Sequence, residues 1–223
     1  MTNLPTPEQR SLDRSILTAG QLLVEGRVPE MFFREMITAY GLENKVQART
    51  FGDISRDNLQ LYLELFTQKA AFKERVQRLG IGRDAEALSA ESAFQAVQSA
   101  LRGAALYVPG QIEILAGTPL GIAVFILPNC HDPGMLEELC LEAITEVERE
   151  TPTAVMPCVY DFFACLSQRS LKPSNLAKAR FAGYALARDV IDPQLGRAAQ
   201  KGAIPWEAEA FRRLKEFLFA VAA

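Results

Sequence analysis

From residue 21 onward the apolar positions alternate between two periods. Gln21-Leu22-Leu23-Val24 is a short apolar run that stops at Glu25-Gly26, the pattern of a strand covered on both faces. Pro29 then stands at a first helical position. Met31, Phe32, Glu35, Met36 and Tyr40 carry a helical period to Gly41, a natural stop. Lys45 to Phe51 alternates as a second strand, closed by Gly52-Asp53. Asp57 to Lys69 is helical, with Leu59, Tyr62, Leu63 and Phe66 on one face. Arg75 to Gly82 reads as a third strand and runs into Arg83-Asp84-Ala85-Glu86, and Ser89 to Arg102 reads as a helix.

The pattern continues with a pair of strands, Ile112–Leu115 and Ile122–Leu127, around Gly117-Thr118-Pro119-Leu120-Gly121. Asp132 before Pro133 predicts a helix start, with the aspartate as N-cap and proline at the first helical position. Beyond about residue 153 the chain reads as helices, with periodic stretches over 159–166, 176–186 and 207–221. Strands alternating with helices predict an α/β fold: a mainly parallel central sheet flanked by helices, with a helical C-terminal third. Residues 1–13, with Pro5 and Pro7, read as a loose leader, and 14–223 as one domain.

Composition narrows the function classes. The 223 residues are 49% hydrophobic and carry a net charge of -3, enough to bury a core and without the basic excess of a protein that grips DNA by its phosphates. The start of the chain lacks the apolar core of a signal peptide, and Leu120–Leu127 is too short to span a bilayer. A cytoplasmic protein with no membrane partner is the expectation. Cys130, Cys140, Cys158 and Cys165, with His131, match no zinc spacing. Cys158 and Cys165, seven apart on an apolar helix, are expected to be buried, reduced thiols. Gly80-Ile81-Gly82 is not a dinucleotide fingerprint, and no serine elbow accompanies the sole histidine.

What remains is acidic. Glu25, the pair Asp84 and Glu86, and the group Asp132, Glu137 and Glu138 each follow a predicted strand, where open α/β sheets place their ligand sites. Hard cations such as Mg²⁺ take a few carboxylate oxygens and keep waters for a phosphate-bearing ligand. Each cluster also has a plainer reading as loop polarity, helix-start solvation or complement to a helix dipole. Acid-based metal chemistry and plain binding both stay open at this point. The first expects Glu25 and Asp84 side by side in one solvent-reachable cleft.

Three segments resemble a known family. They are Leu22-Leu23-Val24-Glu25-Gly26; Leu79-Gly80-Ile81-x-Arg83-Asp84-Ala85-Glu86 followed by Ala93-Phe94-Gln95; and Ile122 to Pro128 with Gly134-Met135-Leu136-Glu137-Glu138. The chain resembles the Toprim-related domain-of-unknown-function 3226 family over about four-fifths of its length. That resemblance implies a Toprim-like fold, in which a glutamate after the first strand and an Asp-x-Asp after a later one bind Mg²⁺ (or Mn²⁺) and run phosphoryl transfer. Carried onto this sequence, it implies catalytic roles for Glu25 and Lys178 and metal-binding roles for Asp84, Glu86, Glu137 and Glu138. The implied activity is a nuclease acting on phosphodiesters, with nucleic acid or another phosphate-bearing ligand as partner. The implied alternative is a non-catalytic binding or regulatory protein with a degenerate site, and either admits a homo-oligomer. The chain departs from the family form at Arg27 to Glu30, where an aspartate is usual, at Glu86 for the second aspartate, at Asn129-Cys130 for Asp-Asn, and at Ala182 and Gly183 for histidine and threonine.

Overall fold

The computed structural model describes residues 15–51, 58–149 and 151–223. The leader at 1–13, the Gly52-Asp53 strand closure and the helix start at Asp57 lie outside the described residues. Four strands, β1 (Gly20–Val24), β2 (Val46–Thr50), β3 (Arg78–Asp84) and β4 (Gly121–Leu127), form one sheet in the order β2-β1-β3-β4. All three pairings are parallel, with Val24 opposite both Thr50 and Gly82 and Asp84 opposite Leu127. Strands buried on both faces need apolar residues at successive positions, and β1 and β4 supply them.

The connections are helical. In chain order they are α1 (Arg27–Ala39), α2 (Asn58–Thr67), α3 (Ala70–Arg75), α4 (Ala90–Gly103), α5 (Leu136–Glu148), α6 (Met156–Gln168), α7 (Leu176–Ala187), α8 (Leu195–Gln200) and α9 (Arg212–Ala222), the last entered through a 3₁₀ turn at Glu209–Phe211. Leu22, Val24, Ala123, Phe125 and Leu127 face a core built with α1, α5 and α7 to α9. Leu23, Leu79, Ile81, Ile122, Val124 and Ile126 face a second core with α2 to α4. The chain leaves β1 for one edge through α1, then returns across β1 to β3 through α2 and α3. Right-handed crossovers in opposite directions put these helices on opposite faces. The reversal falls between β1 and β3, and a crevice opens there at the carboxyl ends of the strands.

Three expectations are corrected. Ile112–Leu115 is not a strand: Glu113 takes a positive φ of 66° and breaks the extended run. Its N–H bonds the Val124 carbonyl, and a single bridge joins Ala116 to Ile122 at the β4 edge. Asp132 does not cap α5, because the Asn129 side chain accepts the N–H groups of His131 and Asp132 and ties the segment into a turn. The helix begins after Gly134 instead, where Glu138 accepts the Met135 N–H at 2.8 Å. Cys158 and Cys165 are exposed, because α6 turns them away from the core that its Met156 and Val159 enter. Cys130 and Cys140 are buried, and burial pushes the Cys130 thiol up to about 12.

One buried polar group supports the sheet at β2. Arg49 is fully enclosed; its Nε donates to Gln21 Oε1 at 2.7 Å and its Nη2 to the Ser15 carbonyl at 2.6 Å. A buried cation is tolerable only while its donors are matched. Gln21→Leu is therefore expected to cost about 2–3 kcal/mol, the penalty for stranding a buried charged donor. Urea unfolding measures it, and a loss below about 0.5 kcal/mol would mean that Gln21 is dispensable to Arg49.

Candidate functional site

The crevice is built from strand ends. β1 stops at Val24, and Gly26, at φ 88°, turns the chain straight into α1, leaving Glu25 on the rim. The Thr50 hydroxyl accepts the Gly26 N–H at 3.0 Å and fixes that turn to β2. β3 ends with Asp84 itself, whose Oδ1 accepts the N–H of Leu136 at 3.0 Å. Leu136 is the first residue of α5, so the carboxylate rests on a helix N-terminus. Two residues on, Glu86 takes φ 56° and donates its N–H to the Gly134 carbonyl, which pins it against the entry to α5. Glu137 sits in the first turn of that helix. Lys178 approaches from α7, whose start is capped by the Asn175 side chain accepting the Lys178 N–H at 2.9 Å.

These groups line two cavities on either side of a carboxylate ridge. Glu25, Asp84 and Glu86 face both. The cavity on the α1 and α7 side, of about 510 Å³, adds Glu137 and Lys178 and is walled by Val28, Pro29, Leu136, Phe181 and Leu195. The cavity on the α4 side, of about 470 Å³, adds Arg83, Gln60 and a row of small α4 residues. The topology thus brings together Glu25, Asp84, Glu86, Glu137 and Lys178. It does not bring Glu138 to the cavities: that residue is exposed and its carboxylate holds the Met135 N–H.

The electrostatics follow from crowding. Burial, then the negative charges of Glu137 and Glu25, push the Asp84 carboxyl up to about 7, against the opposing pull of the Leu136 N–H and Lys178. Burial also raises Glu137, with Glu138 adding to the rise and Lys178 opposing it. Among the described residues, no group of three His, Cys, Asp or Glu side chains is arranged to hold a metal ion. The donor set fits a hard cation of the Mg²⁺ kind, which binds one or two carboxylates and completes its shell with water and substrate oxygens. An all-protein cage of the Ca²⁺ or structural-zinc kind does not fit it.

Sequence reasoning overlooked Arg83 as a site residue. Its signal was present: a guanidinium inside an otherwise buried strand, next to Asp84. The cavity walls from α8 and its approach, Pro193 to Leu195, carried no chemical signal and came together only through the fold.

Among the described residues no helix is long and apolar enough to cross a membrane. No curated protein and no solved structure matches the chain. One family model does match, over residues 19–222, a span that takes in all four strands and the whole carboxylate crevice, and the chain belongs to that family, described as Protein of unknown function (DUF3226).

Proposed function

We propose that the crevice between β1 and β3 is a Toprim-type phosphoryl-transfer site that uses Mg²⁺ or Mn²⁺ and acts on phosphodiesters, with nucleic acid as the substrate. The observation that carries this reading is the convergence of Glu25, Asp84, Glu86 and Glu137 with Lys178 on one cavity at the strands' carboxyl ends. Asp84 and Glu86 would hold the cation, with Glu137 beside them to hold its waters, and when bound it would polarise a phosphate oxygen and acidify a water. The chain's own groups have separable tasks. Glu25, with 38% of its side chain exposed, can exchange a proton with solvent or with a bound water. Lys178 would neutralise a phosphate oxygen, and Phe181, Pro29 and Leu195 would keep bulk water from the ligand's flank.

A second reading, a non-catalytic phosphate-binding or regulatory protein on the same fold, is favoured by two observations. No three-ligand group is arranged among the described residues, and Glu138 is held by its capping bond.

Two measurements separate them. Mg²⁺ or Mn²⁺ should raise the melting temperature of the wild type, by about 2.7 kcal/mol of stabilisation at a hundredfold excess over Kd. The Asp84→Asn, Glu86→Gln double variant should show no such shift. Hydrolysis of bis(p-nitrophenyl) phosphate with either metal should fall at least about 100-fold in Asp84→Asn, as expected when an electrostatic contributor to the transition state is removed. An equal metal shift in wild type and double variant would sink the site. A metal shift without any hydrolysis would select the second reading.

A further inference from the structure

Among the described residues, Arg83 is the one charged group of the crevice that the proposed chemistry leaves without a task. It occupies β3 between Gly82 and Asp84, and only 9% of its side chain is exposed. Its Nε lies 3.8 Å from Glu25 Oε2, beyond hydrogen-bond distance. No other hydrogen bond or ion pair joins it to a described residue. A guanidinium offers five N–H donors in a planar fork, and those of Arg83 that meet no protein acceptor open onto the cavity it lines. Arg49, which is fully enclosed, has its donors satisfied by Gln21, Gln47 and Ser15. Arg83 instead lines the α4-side cavity, where Ala93, Ala96, Ser99 and Ala100 leave about 470 Å³ free.

The cations are therefore divided by the carboxylate ridge: Lys178 lines the α7-side cavity and Arg83 the α4-side one. A phosphate in the α4-side cavity would meet Glu25, Asp84 and Glu86 as well as Arg83, so it would enter with the cation that offsets the carboxylates and with its oxygens aimed at the guanidinium. We infer that Arg83 binds a second phosphate of the substrate, in the cavity between the end of β3 and α4. The substrate is then a chain with successive phosphates lying across the ridge, one phosphate beside Lys178 and its neighbour on Arg83, rather than a compound with a single phosphate. This inference rests on the phosphoryl-transfer reading and names its substrate class. Bidentate recognition of a phosphate is the geometry for which a guanidinium is suited and an ammonium is not.

The test compares two substrates in Mg²⁺ or Mn²⁺: a short oligothymidylate, with successive phosphates, and bis(p-nitrophenyl) phosphate, with one. Arg83→Gln is expected to lower kcat/KM for the oligonucleotide about tenfold more than for the small diester. It should also lessen the salt dependence of oligonucleotide binding by about one in slope, the signature of one lost phosphate contact. Asp84→Asn should depress both substrates alike. Ser99→Glu, an exposed α4 substitution that sets a negative charge in the same cavity, should reproduce the selective loss and serves if Arg83→Gln folds poorly. Arg83→Lys should keep the salt slope but recover only part of the rate. If Arg83→Gln and Ser99→Glu affect both substrates equally, or neither, the second phosphate site is wrong while the reaction stands. If the wild type neither binds the oligonucleotide nor hydrolyses either compound with metal present, the phosphoryl-transfer reading fails and this inference falls with it.

Discussion

Asp84→Asn is expected to stabilise the protein at pH 8 by about 4 kcal/mol and to have almost no effect near pH 4, taking about 1.36 kcal/mol per pH unit of displaced ionisation. The sign follows from the direction of the shift: the native carboxyl titrates at about 7 and the unfolded one near 3.8. Below 3.8 both states are protonated and the group contributes nothing to the balance. Between 3.8 and 7 only the native state keeps the proton, so stability falls as pH rises. Above 7 both are charged and the full cost of a buried, crowded carboxylate is present. Asparagine keeps an oxygen to accept the Leu136 N–H, now bonded at 3.0 Å, and carries no charge to desolvate. Urea midpoints of both proteins from pH 4 to pH 8 measure the difference, in which other titrating groups cancel. Parallel curves would mean that the Asp84 carboxyl is not held high. The same argument makes the metal effect on the wild type larger at pH 8 than at pH 5, because a bound cation offsets a charge that exists only at the higher pH. A residue whose removal stabilises the fold while abolishing the metal response is one kept for function.

Much of the fold was legible because parallel strands announce themselves. A strand buried on both faces has no polar alternation, and Leu22 to Val24 and Ile122 to Leu127 stood out for that reason. The α4 start was readable from Ser89, whose hydroxyl does accept the Ser92 N–H at 3.2 Å. Where the reading failed, a side chain or a backbone angle overrode the pattern. Asp132-Pro133 has the chemistry of a helix start, yet the Asn129 side chain captures the backbone two and three residues ahead, and α5 waits for Gly134. Sequence spacing could not reveal that competition between an aspartate cap and an asparagine turn. Cys158 and Cys165 share a helical face, but periodicity says only that residues are together, not which way they point.

The candidate site was legible in its residues and not in its electrostatics. Acids after strands marked Glu25, Asp84 and Glu86, and the order β2-β1-β3-β4 brings the first two strand ends together. No pattern distinguished Glu137 from Glu138, adjacent in one helical turn. The fold separates them: one is half-buried at the cavity and raised by burial, the other exposed and bonded to the Met135 N–H. Arg83 left a signal in the sequence, a cation inside an apolar strand, but which cavity it lines and how few protein acceptors it meets came only from the fold.

The sheet's geometry carries the remaining large effect. Gly20→Ala is expected to cost about 3 kcal/mol or more, the upper range for forcing atoms into a filled interior. Gly20 opens β1, opposite Val46 and Arg78, beneath the C-terminal helix α9. A Cβ there would stand 2.4 Å from the Val221 carbonyl oxygen and 2.9 Å from that of Lys45. Both obstacles are backbone, so no rotamer change relieves them, and α9 must lift off the strand ends. At Gly80 the nearest atoms are Val221 Cγ2 at 2.9 Å and Phe217 Cζ at 3.1 Å, both farther than the Val221 carbonyl oxygen at Gly20 and both side chain rather than backbone. Gly80→Ala should accordingly cost less than Gly20→Ala. Gly41 is the control: nothing lies within 4 Å of its Cβ position, and its φ of 66° alone penalises a side chain. Gly41→Ala should cost about 1 kcal/mol, the strain of a left-handed backbone without any clash. Urea unfolding of the three variants should rank them Gly20, Gly80, Gly41 in order of loss. If Gly20→Ala loses no more than Gly41→Ala, α9 does not press on β1, and the core on that face is packed more loosely than these distances require.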